Sequence, residues 1–94
     1  MYTYYLLGKY SVGAAKHISA IRTTECTQVI EELDGEIILL DALLGEYDLA
    51  VICKFEDNRA ALKASVALEK RTGIRFTTLP AVSVEEFDQL AREV

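Results

Sequence analysis

Two kinds of hydrophobic spacing alternate along the chain, and the switches between them divide it into elements. Residues 2–10, "YTYYLLGKY", are rich in Tyr and Leu without a helical period and read as a strand. From Gly13 to about Leu33 the spacing turns helical, with Ala14, Ile18 and Ile21 on one stripe and Val29, Ile30 and Leu33 on another. The stripes fall out of phase at Thr23-Thr24, where threonines weaken a helix, so a bend or break is expected there. Asp34-Gly35 ends the segment. Residues 36–44, "EIILLDALL", form a second strand and, past Gly45, residues 48–55, "DLAVICKF", a third. Asp57 or Asn58 caps a helix that runs to about Thr72 and stops at Gly73. Its inward stripe is Ala61, Leu62, Ser65, Val66 and Leu68. A fourth strand, 74–79, is closed by Pro80, which suits a sheet edge. In the tail, Ser83 and Glu86 make a capping box, and Val82 and Phe87 hold the positions of a hydrophobic staple. Phe87, Leu90, Ala91 and Val94 then recur at i, i+3, i+4, i+7, a short amphipathic helix made to dock on something.

The order β-α-β-β-α-β plus a terminal helix predicts a single α+β domain over residues 1–94, with the ferredoxin-like split βαβ arrangement. Its antiparallel four-stranded sheet has strands one and three in the centre. Side chains alternate across a strand, so Ile37 and Leu39 oppose Ile38 and Leu40, while Leu49, Val51, Cys53 and Phe55 oppose Ala50 and Ile52. Both faces are then apolar, and two helices cover only one of them. Four strands about five residues long present a face of roughly 300 Å² in projection. Its side chains expose more apolar surface than a soluble monomer ordinarily leaves in water. A second copy is the simplest cover, giving a dimeric α/β barrel, since the terminal helix is too short to roof the face.

Composition narrows the partners. Ninety-four residues carry 15 acidic against 10 basic side chains, a formal charge of −5. Nucleic-acid binding rests on clustered Lys and Arg, so it is not expected. An RNA-reading sheet would use Tyr4, Tyr5 and Phe55, but the acidic balance opposes it. Cys26 and Cys53 have no metal-type spacing and read as free thiols in a reducing compartment. The start of the chain lacks the features of a signal peptide, and no apolar run approaches the ~18 residues of a membrane span. A cytoplasmic protein without membrane, metal or cofactor is the expectation.

Candidate chemistry gathers around Gly45-Glu46-Tyr47-Asp48. As turn chemistry, Gly45 supplies a positive φ or a bulge and Asp48 bonds nearby backbone N–H groups. As a site, Tyr47 and Asp48 place a phenol and a carboxylate at the mouth of a barrel cavity. Lys9 and Lys54, near the ends of the central strands, would hold an anion if they face that cavity, and otherwise are edge charges with snorkelling stems. One residue of register decides between the two. Arg22 is an ion-pairing residue by default and a further ligand candidate. His17, the only histidine, has no acidic partner at helical spacing and reads as a solvated helix residue. Gly8 and Gly13 have the spacing of a phosphate loop, but Ala14-Ala15 stand where Lys and Ser/Thr are needed.

The stretches "KYS" (9–11), "ISAIRT" (18–23), "ALLGEYDLAVI" (42–52), "ALKASVALEKRTGIRFTTLPAV" (61–82) and "VEEFDQL" (84–90) resemble the GYD-domain family, whose naming element maps onto Gly45, Tyr47 and Asp48. The resemblance implies a dimeric α/β barrel of ferredoxin-like fold. The family has no assigned activity, so no catalytic residue carries over. "GEYDL" and "TGIRFTT" are also similar to the ligand-sensing domain of Lrp/AsnC-type regulators, which assembles into oligomers and binds amino acids between subunits. With no helix-turn-helix ahead of that region, DNA binding of that type is not expected. The expected function is a homo-oligomeric small-molecule-binding or sensing module with a barrel or inter-subunit cavity. Tyr47 and Asp48 would be its anchors, with Lys9, Arg22 or Lys54 beside them. The alternatives are a cofactor-independent enzyme, with Asp48 or His17 as base and Tyr47 as hydrogen-bond donor, and an oligomerisation protein without a pocket.

Overall fold

The computed structural model describes residues 1–15 and 20–94. The elements run β1 (Tyr2–Tyr10), α1 (Val12–Ala15), α2 (Ala20–Glu32), β2 (Glu36–Ala42), β3 (Leu49–Phe55), α3 (Asn58–Thr72), β4 (Ile74–Ala81) and α4 (Val84–Arg92). The strands form one antiparallel sheet in the order β2-β3-β1-β4, so the expected ferredoxin-like arrangement is present with β1 and β3 central. Pro80 lies within β4 rather than closing it. It is tolerated because β4 is an edge strand, paired only with β1.

Local chemistry sets the boundaries. The Asp57 side chain accepts a hydrogen bond from the Ala60 N–H at 2.9 Å and starts α3. Gly73, at φ 75°, ends α3 in the left-handed conformation, its N–H bonded to the Glu69 carbonyl. Ser83 accepts from the Glu86 N–H at 3.1 Å and starts α4. The expected break at Thr23-Thr24 is absent: α2 runs through it. The Thr24 and Thr27 hydroxyls donate to the carbonyls of Ala20 and Thr23, so the helix itself satisfies them.

One face of the sheet is covered by α2 and α3. Tyr4, Leu6, Leu49, Val51, Cys53, Phe55 and Ile74 meet Cys26, Val29 and Ile30 from α2 and Ala61, Ala64 and Leu68 from α3 in a single core. Tyr4 and Phe55 stack edge to face with centroids 6.0 Å apart, and the Tyr4 hydroxyl donates to Asn58 Oδ1 at 2.7 Å. Burial pushes the Tyr4 phenol above its ordinary pKa, helped by the Asp57 charge. The two aromatics offered above for RNA stacking, Tyr4 and Phe55, therefore belong to the core; of the three only Tyr5 is exposed.

Two expectations about packing are corrected. The inward seam of α3 is Ala61, Ala64, Leu68 and Thr72, while Leu62 and Val66 face outward and are at least half exposed. In β2, strict alternation fails at a bulge between Ile37 and Leu39. Ile37 and Leu40 both pack on the core, and Ile38 and Leu39 both lie exposed.

Among the described residues, no element covers the opposite face of the sheet. Thr3, Tyr5, Leu7 and Lys9 of β1 alternate with the core positions, as do Ala50, Ile52 and Lys54 of β3 and Arg75, Thr77 and Leu79 of β4. The tail helix does not roof this face or dock elsewhere. None of its residues is buried, and it is not part of any extensive packing between the described elements. The radius of gyration, 14.2 Å, exceeds the roughly 12 Å of a compact chain of this length.

Candidate functional site

Residues 43–48 carry β2 into β3 and rest against the end of β1. Gly45 has φ 135°, a conformation that side chains resist, which is the turn role read from the sequence. Asp48 then laces the corner together. Its N–H donates to the Gly8 carbonyl at 2.8 Å, its carbonyl accepts from the Leu43 N–H at 2.9 Å, and its carboxylate Oδ2 accepts from the Tyr10 N–H at 2.9 Å. The carboxylate thus takes a backbone donor at the end of β1, past the last β1–β3 pair at Gly8 and Leu49, while Tyr10 still pairs with Ile74 of β4. Tyr47, beside it, is half-buried.

Around the same corner, on the helix-covered side, stands Tyr10. Burial raises its phenol pKa, the nearby Cys26 and Asp48 raise it further, and Arg22 pulls it back. Tyr10 therefore links Asp48 at the start of β3 to Arg22 and Cys26, one turn apart on α2. The sequence held the signal for Tyr10: it continues the inward period of Tyr4, Leu6 and Gly8. Burial also raises the Cys26 thiol, and it pushes Cys53 up to about 11. Both are free and buried, away from the electropositive, partly exposed setting of a reactive thiol.

The two candidate lysines resolve to the open face. Lys9 stands opposite Arg75 on β4, and Lys54 stands opposite Thr3 on β1. Six residues of β1 separate these positions, roughly 20 Å at 3.4 Å per residue, so one subunit cannot bring both lysines to one anion. Of the five residues singled out from sequence, the structure gathers Tyr47, Asp48 and Arg22 around one corner. It puts Lys9 at that same end on the open face and Lys54 at the far end. His17 lies outside the described residues.

Arg75 escaped the sequence reading. Its significance appears only with the register, which sets two cations directly across from one another on adjacent strands. Like charges in that position repel, and neither has an ion-pair partner among the described residues. Their apolar neighbours on this face are Tyr5, Leu7, Ile52 and Leu79, of which Tyr5 and Leu79 are 41% and 44% exposed. No group of three or more metal-ligating side chains occurs among the described residues. An open groove of about 1160 Å³ lies elsewhere, lined among others by Leu33, Leu62, Val66 and Ala67 of α2, α3 and the turn after α2.

The family model described as "GYD domain" matches residues 4–91 of the chain. No curated protein matches it. Among solved structures, it is similar to the Mycobacterium tuberculosis leucine response regulatory protein LrpA, with a TM-score of 0.59 at 8% identity. That likeness covers 88% of this chain and 51% of the other, so the chain spans about half the length of the protein it matches. At this identity the likeness speaks for the fold alone.

Proposed function

The chain belongs to the GYD domain family, and from that premise we propose that it is a small-molecule-binding module working as a homo-oligomer. Its ligand carries a carboxylate on an apolar body and is enclosed when a second copy covers the open face of the sheet. The observation that carries this reading is the Lys9–Arg75 pair, two facing cations at one end of an unroofed apolar surface. Such a pair is unfavourable alone and favourable around an anion, and a carboxylate takes a bidentate contact from an arginine. Tyr5, Leu7, Ile52 and Leu79 offer the apolar body its floor.

Tyr47 and Asp48, at the same end, supply the polar rim. An acid beside two cations suits a zwitterion, whose ammonium and carboxylate need opposite charges close together. Free amino acids fit that description, and the protein of similar fold, LrpA, is named for a leucine response. Lys54 at the far end and Arg22 on the helix-covered side lie outside this first contact shell.

Thermal melts with a panel of free amino acids and simple aliphatic carboxylates test the reading. A ligand at 100 times its dissociation constant stabilises the folded state by about 2.7 kcal/mol, which a melt resolves. The response is expected to vanish in Arg75→Gln and Lys9→Gln and to persist in Lys54→Gln. A panel without any response at millimolar concentration, or a response unchanged by Arg75→Gln, refutes it.

A further inference from the structure

The strand register places the residues of the open sheet face on a grid. Leu39, Ile52, Tyr5 and Leu79 make one row across β2, β3, β1 and β4, apolar throughout. The next row towards the Lys9 end is Asp41, Ala50, Leu7 and Thr77. On the other side of the apolar row lie Glu36, Lys54, Thr3 and Ala81. There Glu36 and Lys54 are cross-strand neighbours of opposite charge and balance within the subunit. The unbalanced charges of the face are then Asp41 on the edge strand β2 and the Lys9–Arg75 pair on β1 and β4. Asp41 is exposed and, like the two cations, has no ion-pair partner among the described residues.

This pattern is complementary to itself in one orientation. A two-fold axis parallel to the strands lays β2 of one copy over β4 of the other and keeps each row on its own counterpart. The apolar row then meets the apolar row. Asp41 comes over Thr77 of the other copy, two residues or about 7 Å along β4 from Arg75. Stacked sheets lie about 10 Å apart, and an aspartate and an arginine together span that gap. An axis across the strands instead lays β2 on β2 and β4 on β4. It sets Asp41 over Leu39 and sends Lys9 and Arg75 to Thr3 and Ala81, so neither cation meets an acid. We propose that two copies pack sheet to sheet in the first orientation, and that Asp41 of each completes the Lys9–Arg75 site of the other. The inference rests on a second copy covering this face and adds the residue which that copy brings. Asp41 offsets one of the two cations and leaves the other for a ligand carboxylate, so the site is incomplete in a lone subunit. Lys54 stays at the far end in both copies.

Charge exchange between copies tests this without any ligand. Asp41→Lys and Arg75→Glu each set like charges against one another at both contacts of the pair. Each variant alone should therefore lose the heavier species of the original chain in sedimentation velocity. Mixed in equal amounts, the two should regain it. In the mixed pair the introduced lysine meets the introduced glutamate, and the remaining Arg75 of one chain meets the remaining Asp41 of the other. Both positions are exposed, so circular dichroism should show the fold of each variant unchanged. The proposal is overturned by an original chain that sediments as a lone subunit, by a variant as heavy alone as the original, or by a mixture no heavier than its components. The ligand reading fails separately. An amino-acid panel without effect refutes the ligand while a recovered mixture keeps the contact. A failed mixture beside a ligand response that Arg75→Gln abolishes refutes the contact alone.

Discussion

Asp48 separates a scaffold role from a binding role more sharply than any other residue. Its carboxylate takes the Tyr10 N–H at 2.9 Å, and its backbone holds Gly8 and Leu43 in any variant. Asp48→Ala removes only the side-chain acceptor. A hydrogen bond to a charged group contributes about 1.5–3 kcal/mol, and the half-buried position lets water replace part of it. The expected loss is about 1–2 kcal/mol. With a urea slope near 1 kcal/mol per molar for so small a domain, the midpoint falls by about 1–2 M. Asp48→Asn keeps a carbonyl acceptor and should lose less than half as much. Urea titrations followed by circular dichroism at two protein concentrations separate this loss from any change in association. A midpoint for Asp48→Ala within about 0.2 M of the original refutes the corner's dependence on the carboxylate. If Asp48→Asn keeps most of its stability yet no longer responds to a ligand that stabilises the original chain, the carboxylate serves both roles.

Two further changes test the packing and the ionisation of the core. The Thr78 hydroxyl is buried without a hydrogen-bond partner among the described residues, so Thr78→Val, of nearly the same shape, should raise stability by about 1 kcal/mol in the same titration; a loss of stability would mean that the hydroxyl is satisfied. Cys53 ionises at about 11 in the folded state against 9.0 for the free thiol, so the unfolded chain releases its proton first. That contribution is whole below pH 9 and lost as pH rises towards 11. Melting temperature should fall through this window, and the fall should be shallower in Cys53→Ala; parallel pH curves for the two proteins would contradict the assignment.

The fold was legible because its signals are local. Asp57 and Gly73 bracket α3, Ser83 and Glu86 open α4, and the alternation of β3 is unbroken from Leu49 to Phe55. Errors arose where a neighbour outweighs local preference. Leu62 and Val66 satisfy a helical stripe as well as Ala64 does, yet the sheet takes Ala61, Ala64 and Leu68, and apolar spacing alone does not say which of two overlapping stripes turns inward. The β2 bulge left no mark on "EIILLDA", since four aliphatic residues in a row are compatible with any phase. Thr23-Thr24 weakens a helix in isolation, but the burial of Cys26, Val29 and Ile30 against the sheet keeps α2 continuous through it.

The site was legible in part, for a different reason. Gly45 and Asp48 are readable as turn chemistry because both act within a few residues of themselves or on the adjoining strand end. The pairing of Lys9 with Arg75 is not, because 66 residues of chain separate them and a slip of one position would send each to the opposite face. Register also divides Lys9 from Lys54, two residues that seem equivalent in the sequence as cations near the ends of central strands. An antiparallel pair sets the end of one strand against the beginning of the other, so cations near the ends of both must lie at opposite ends of the sheet. A single subunit therefore cannot bring both lysines to one anion. Any site that used both lysines would have to draw one from each copy, and the melt of Lys54→Gln decides whether it does.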